Sequence, residues 1–315
     1  MTQDKMQQAT APHPGTLEKE PFDFAKWWDR VGILVVLLAI VLLMASIAPN
    51  FARVDNFLNI ARSISVNAIL AAGLTFVILT TGIDLSVGSI VAVSGVASVL
   101  AAIAGVPAPA AILAGMAVGA VCGLVNGVLT AYLALAPFIV TLGSMTFLRG
   151  LAYTMTAGQP IVSSSLSFKE LGTGYAFGIP IPVIVMAIVY LLAWFTLERT
   201  RYGRHIYAVG GNAEAAGLAG VRVKRIITSV YVIAGGCAGL AGVIFAARVI
   251  SAQPTAGTGY ELDAIAAVVL GGTSLAGGRG RIVGTLIGSI ILGVLSTGLI
   301  LMNVPFFTQQ IGRAS

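Results

Sequence analysis

Residues 31–48 read Val-Gly-Ile-Leu-Val-Val-Leu-Leu-Ala-Ile-Val-Leu-Leu-Met-Ala-Ser-Ile-Ala, a run of 18 positions without a charge. As a helix this run is about 27 Å long, enough to cross a bilayer core with little tilt. The lead before it is polar and carries Pro12 and Pro14, and no small-x-small site follows the apolar run. It therefore reads as a retained first span behind a 1–30 tail, not as a cleaved signal peptide. Uncharged or nearly uncharged runs follow at about 66–81, 85–104, 110–134, 138–157, 179–197, 226–247, 264–276 and 282–302. Turn chemistry separates them, as at Pro107-Ala108-Pro109, Ala136-Pro137 and Pro180-Ile181-Pro182. The 264–276 run is too short to cross alone and is expected to be broken or re-entrant.

Composition agrees. The chain has 315 residues, 18 Lys+Arg against 12 Asp+Glu, and 57% of residues in the apolar set. Charged residues make up only 10%, against about 25% in a soluble domain. Too few polar side chains remain to cover a water-exposed surface of this size. This excludes a soluble globular enzyme, a disordered chain and a nucleic-acid binder, despite the formal charge of +6. Cys122 and Cys237 sit singly in apolar stretches and behave as small hydrophobes, so they give no metal site or disulfide framework. The two histidines, His13 and His205, are far apart in the chain.

Orientation follows from the basic residues. Residues 198–225 hold Arg199, Arg201, Arg204, Arg222, Lys224 and Arg225, and the positive-inside rule places that loop in the cytoplasm. Six spans precede it, so the N-terminus is expected there too, which Lys26 and Arg30 support. The loops at 50–62, 158–178 and 248–262 then fall outside. On this count the ninth span ends outside near Met302, and the remaining 303–315 looks like an interrupted tenth span.

Several residues stand out against this background. Gly115, Gly119, Gly123 and Gly127 lie four apart, on one helix face where backbones can approach closely; Gly235/Gly239 and Gly284/Gly288 repeat the spacing. Asp84 lies between two long apolar runs, in Thr81-Gly82-Ile83-Asp84-Leu85-Ser86-Val87-Gly88. A carboxylate there either caps the helix that follows, accepting from N–H groups two or three residues on, or marks a broken helix beside a pathway, or does both. Arg149, the one charge in the fifth span, is either buried against a partner or reaches an interface. Residues 248–263 form a polar stretch with Gln253, Thr255, Tyr260, Glu261 and Asp263, leading into a short glycine-broken helix near Thr273. Hydroxyls and carboxylates at that spacing suit a polyhydroxy solute, although Glu261 and Asp263 also suit the first turn of a helix.

In the basic loop, Gly211-Asn212-Ala213-Glu214-Ala215-Ala216-Gly217-Leu218-Ala219-Gly220 reads as a short helix between glycine joints. Asn212 is its N-cap, Glu214 lies in its first turn and Gly220 is its stop. Such a helix is suited to docking in a partner's cleft. The chain holds no GxxxxGK[ST] phosphate loop, no GxSxG and no HExxH. If the protein uses ATP, a partner supplies it.

These residues resemble the permease subunits of bacterial ATP-binding-cassette importers for monosaccharides. The resemblance rests on Thr81 to Ser89, on Gly210 to Ala216 and above all on Ser251 to Gly288, and it covers roughly 31–302. It implies an all-α polytopic membrane bundle of about ten spans, of which about nine are visible, with broken or re-entrant helices. It implies a multi-pass protein of the bacterial inner membrane that passes ribose or a similar monosaccharide and is not itself an enzyme. The implied partners are a second copy of the chain, a cytoplasmic ATPase (usually one chain with two cassettes) that binds ATP and Mg, a periplasmic sugar-binding protein, and lipid. Gly211, Asn212, Glu214, Ala215, Ala216, Gly217 and Gly220 would form the coupling helix. Asp84, Ser86, Gln253, Thr255, Tyr260, Glu261, Asp263 and Thr273 are candidates for the pathway or gate. The family's last helix is expected where this chain reads Phe306-Phe307-Thr308-Gln309-Gln310-Ile311, so its end is expected to be truncated or divergent. Two readings from other classes compete: an ion-coupled secondary sugar transporter using Asp84, Glu261 and Asp263, and a non-transporting membrane scaffold.

Overall fold

An apolar run in hydrocarbon has to close its backbone hydrogen bonds within itself, and a helix is the way a single segment does so. In a computed structural model, which describes residues 24–49, 51–164 and 166–302, each expected run contains a helix. In chain order these are α1 (Phe24–Ile47), α2 (Val54–Leu79), α3 (Val87–Ile103), α4 (Ala108–Ala131) and α5 (Pro137–Met155). A connecting segment follows, with β1 (Ile161–Val162), α6 (Glu170–Thr173), β2 (Tyr175–Ala176) and β3 (Ile179–Pro180). Then come α7 (Ile181–Arg199), α8 (Arg201–Gly211), α9 (Ala213–Leu218), α10 (Val223–Val249), β4 (Ser251–Ala252), α11 (Tyr260–Leu270) and α12 (Ile282–Leu301). Six of them, α2, α4, α5, α7, α10 and α12, are long and apolar enough to cross a membrane. The architecture is an all-α polytopic bundle. Most of the expected 1–30 tail, and the 303–315 segment where an interrupted last span is expected, lie outside the described residues.

Three boundaries differ from the sequence reading. The first helix begins at Phe24, inside the expected tail. The second begins at Val54, not Val66, so most of the expected 50–62 loop is helix. Asp55, Asn56, Asn59 and Arg62 lower the hydropathy there without breaking the helix, and Asn56 Nδ2 donates to the Phe51 carbonyl at 2.9 Å. Conversely, α11 stops at Leu270, because Gly271 and the left-handed Gly272 (φ 84°) end it.

α2 and α10 form the centre. From Ser65 to Leu79 every residue of α2 except Asn67 is buried, and α10 is mostly buried from Val230 to Ala247. Helices this apolar on all sides belong in an interior. Leu38 and Leu42 of α1, Leu113 and Val121 of α4, Phe147 of α5 and Leu191 of α7 are exposed, an apolar outer surface. α4 lies antiparallel on α10: Gly115 meets Val243, Gly119 meets Gly235 and Gly239, Gly123 meets Tyr231, and Gly127 meets Thr228. A Cβ on Gly119 would stand 2.8 Å from the Gly239 Cα, so only glycine lets the two backbones meet.

The bundle has two ends. At one, the Arg62 guanidinium lies 4.7 Å from the Tyr175 ring centroid, β1 pairs antiparallel with β4, and Gly172 packs on Ala247 and Arg248. The segments around Arg62, 158–178 and 248–252 therefore share that end, as their expected common side requires. At the other end α8, the tip of α2 and residues 277–281 meet, with Gly278 N donating to the Leu79 carbonyl at 3.0 Å.

Overpacking a tight interior contact costs about 1–3 kcal/mol. Gly119→Val should lower the yield and the melting midpoint of detergent-purified protein, measured by size-exclusion chromatography and thermal unfolding. Gly236→Val, where a Cβ meets nothing within 4 Å, should change neither.

Candidate functional site

Two helices are interrupted inside the bundle. α2 ends at Leu79, and the chain reverses through residues 80–86 before α3 starts at Val87. Asp84 lies in this break, fully buried. Its Oδ1 accepts from Ser86 N at 2.9 Å and from Ser86 Oγ at 2.6 Å. Asp84 therefore holds the residue that precedes α3, inside the turn that joins α2 to α3. Asn126 Nδ2 on α4 donates to Ser86 Oγ at 2.8 Å, and Ser144 Oγ on α5 donates to Asn126 Oδ1. A polar chain Asp84–Ser86–Asn126–Ser144 thus joins the 80–86 turn to α4 and α5. The Ile83 carbonyl, outside any helix ladder, accepts from Tyr231 Oη and Thr141 Oγ1, each at 3.3 Å.

The second interruption follows α10. Ile250 takes the left-handed conformation (φ 53°) and ends the helix. After β4 the chain turns back into the bundle through residues 253–259 and starts α11 at Tyr260. Arg149 Nη1 on α5 donates to the carbonyls of Pro254 and Ala256, both at 2.7 Å. The arginine that sequence left between burial and an interface is thus bonded within the bundle. Gly257 (φ 70°) lies directly on Gly88; a Cβ on Gly88 would strike the Gly257 carbonyl and Glu261 Oε2. The N-terminal ends of α3 and α11 therefore abut. Glu261 and Asp263 fall in the first turn of α11, Glu261 Oε1 accepting from Gly259 N and Asp263 Oδ2 from Asn67 Nδ2, both at 3.3 Å.

The two breaks meet where Gly88 lies against Gly257 and Glu261. Asp84 and Ser86 hold the first break, while Gln253, Thr255, Tyr260, Glu261 and Asp263 belong to the second. Thr273 does not join them; it is buried in the 271–281 turn, packed by Gly280 at the far end of the bundle. Sequence reading passed over Asn67, Asn126 and Ser144. A lone amide in an apolar run is the signal for the first two.

The 198–225 loop is two helices, not one. The amphipathic α8 was not expected; Thr200 Oγ1 caps it, accepting from Gly203 N at 3.1 Å. The expected short helix is α9, where Asn212 Oδ1 accepts from Ala215 N at 2.9 Å and Gly220 (φ 85°) ends the turn. Gly211, Asn212, Glu214, Ala215, Gly217 and Gly220 are exposed and Ala216 is buried. Leu218 is 87% exposed, an apolar knob on a basic surface. α8 is anchored inward: Tyr207 Oη donates to the Gly280 carbonyl at 3.0 Å, Tyr202 Oη bonds Ser229 Oγ, and Gly210 packs on the Leu79 carbonyl. Burial pushes both phenols up, for Tyr207 with a further push from Glu198, so they stay protonated as hydrogen-bond partners. α8 therefore bears on the tip of α2, five residues before Asp84.

Comparison with known proteins agrees with this architecture. Residues 56–311 match the family described as branched-chain amino acid transport system / permease component. The ribose import permease protein RbsC of Escherichia coli K12 is 50% identical over 294 residues, 91% of either chain. RbsC of Bacillus subtilis is 45% identical over 93% of this chain and 92% of its own. The D-allose transport system permease protein AlsC of Escherichia coli is 41% identical over 93% of this chain and 91% of its own. No solved structure matches the chain. The chain belongs to the branched-chain amino acid transport system / permease component family.

Proposed function

We propose that this chain is the permease subunit of an ATP-binding-cassette importer that carries ribose or a similar monosaccharide across the bacterial inner membrane. The observation that carries the reading is the 50% identity to a ribose import permease over nine-tenths of both chains. Because the sequence holds no phosphate loop, ATP and Mg are bound by a partner ATPase, one chain with two cassettes. A periplasmic sugar-binding protein delivers solute to the opposite end, and two copies of the permease flank the pathway. The N-terminus and the 198–225 loop face the cytoplasm, as the basic residues of that loop require.

In this reading α9 sits in the ATPase, and motion passes from α9 through α8 to the tip of α2. From there it reaches the break at Asp84. Gly278 N on the Leu79 carbonyl and the packing of Gly210 on that carbonyl support the route. α5 touches both breaks, through Thr141 and Arg149, so a shift at one is felt at the other. An ion-coupled mechanism would gather Asp84, Glu261 and Asp263 around one cation. Among the described residues no group of three or more His, Cys, Asp or Glu is placed to hold a metal ion, and each of the three carboxylates accepts from a different partner.

Deleting residues 214–217 should reduce sugar uptake by cells to background while leaving the amount of permease in the membrane unchanged; unaltered uptake would remove the coupling role from α9. A Leu218→Cys variant in a Cys122→Ser/Cys237→Ser background should react with a membrane-impermeant maleimide only after spheroplasts are opened. Reaction in intact spheroplasts would reverse the orientation.

A further inference from the structure

The bundle repeats itself. A long central helix, a break, a short helix and a returning helix occur as α2–α3–α4 and again as α10–α11–α12. The two central helices run antiparallel, Gly73 facing Ala234 and Cys237 while Gly82 faces Tyr231. The equivalent seams are α4 on α10 and α12 on α2, and they are built differently. The α4–α10 seam is closed by glycine against backbone along its length. The α12–α2 seam is closed at Thr75–Thr285, where two hydroxyls meet at 2.9 Å, and at Gly293 against Ile64. Beside these contacts it opens into a cavity of about 240 Å³ that reaches α10 and α11.

The lining of this cavity mixes polar groups with apolar walls such as Ile64, Val66 and Leu292. Asn67, Arg248, Tyr260, Asp263, Ser289 and Ser296 contribute from four helices. Asn67 Oδ1 is buried with no hydrogen-bond partner among the described residues. An apolar void can stay empty, but a buried carbonyl oxygen such as Asn67 Oδ1 calls for a donor from an occupant. The lining offers one cation, Arg248, and one anion, Asp263, so it carries no net charge and favours a neutral occupant over a phosphate or a metal ion. Phe245, packed edge-on to Tyr260 with centroids 6.3 Å apart, adds an aromatic wall. Hydroxyls, an amide, one charge of each sign and an aromatic face make a set that a polyol satisfies through its alternating O–H and C–H surfaces. The volume lies just under the range of about 300–1,000 Å³ usual for drug-sized ligands, which suits one small sugar.

We propose that each protomer holds its own monosaccharide subsite in this cavity, between α2, α10, α11 and α12. The subsite rests on the permease reading above and adds to it a place where the solute pauses, midway along α2 and on the side of Arg248.

The test uses the permease–ATPase complex in nanodiscs, with Thr297→Cys at the cavity wall in the Cys122→Ser/Cys237→Ser background and Ser63→Cys as a second reporter should the first not assemble. D-ribose should slow the reaction of either thiol with a small methanethiosulfonate in proportion to occupancy, and equimolar sodium chloride should not. Asn67→Ala should weaken that protection about tenfold, equivalent to 1.4 kcal/mol. Unchanged thiol reactivity at saturating D-ribose, in a complex whose unmodified form transports D-ribose with its binding protein, would overturn the subsite and leave the permease reading standing. Failure of the unmodified complex to transport any monosaccharide would overturn both.

Discussion

The bilayer supplies no hydrogen bonds, so every backbone group that leaves a helix within it needs a partner from the protein. Two segments of this chain, 80–86 and 253–259, leave their helices inside the bundle, and the partners they recruit organise the rest. Ile83 takes Tyr231 from α10 and Thr141 from α5, and Asp84 serves the amide of Ser86. Pro254 and Ala256 share Arg149 of α5, and Leu79 takes Gly278 from the far turn. These contacts are made between elements distant in sequence. They hold the helices together where apolar packing alone would let them slide, since lipid tails are as apolar as the side chains.

The same contacts suit a component that moves. α5 is largely exposed along its outer face and is tied to the interior by hydroxyls and one guanidinium. Polar contacts of this kind exchange partners between two arrangements more readily than interdigitated leucines do. The glycine seam of α4 on α10 acts oppositely, since backbone on backbone leaves no room for adjustment. One half of the bundle is thus closely locked, and the other, with its cavity between α2 and α12, has space.

Much of this was legible in the chain. Charge-free runs marked the spans, because a charge in hydrocarbon is costly, and four-residue glycine spacing marked the seam that α4 makes. Asp84 announced a break for the same reason. Asn212, Glu214 and Gly220 fixed the ends of α9, since caps are local chemistry. What stayed hidden depends on three dimensions. The start of α2 at Val54 is covered by polar residues that a helix tolerates at its end. α8 is too charged to register as a span. The partnership of Arg149 with two carbonyls of the 253–259 turn, more than 100 residues away, has no trace in local pattern. Neither does the separation of Thr273 from the other pathway candidates, which follows from where α11 stops.

The central claim is that this bundle is a passive gate worked by another chain's nucleotide cycle. Uptake of labelled D-ribose into proteoliposomes tests it most directly, with permease, ATPase and binding protein present, equal ionic composition on both sides, and ATP supplied only at the face bearing α9. The account predicts accumulation that starts with ATP and stops when the ATPase is left out. Accumulation at the same rate without ATP, or driven by an imposed sodium or proton gradient, would contradict it.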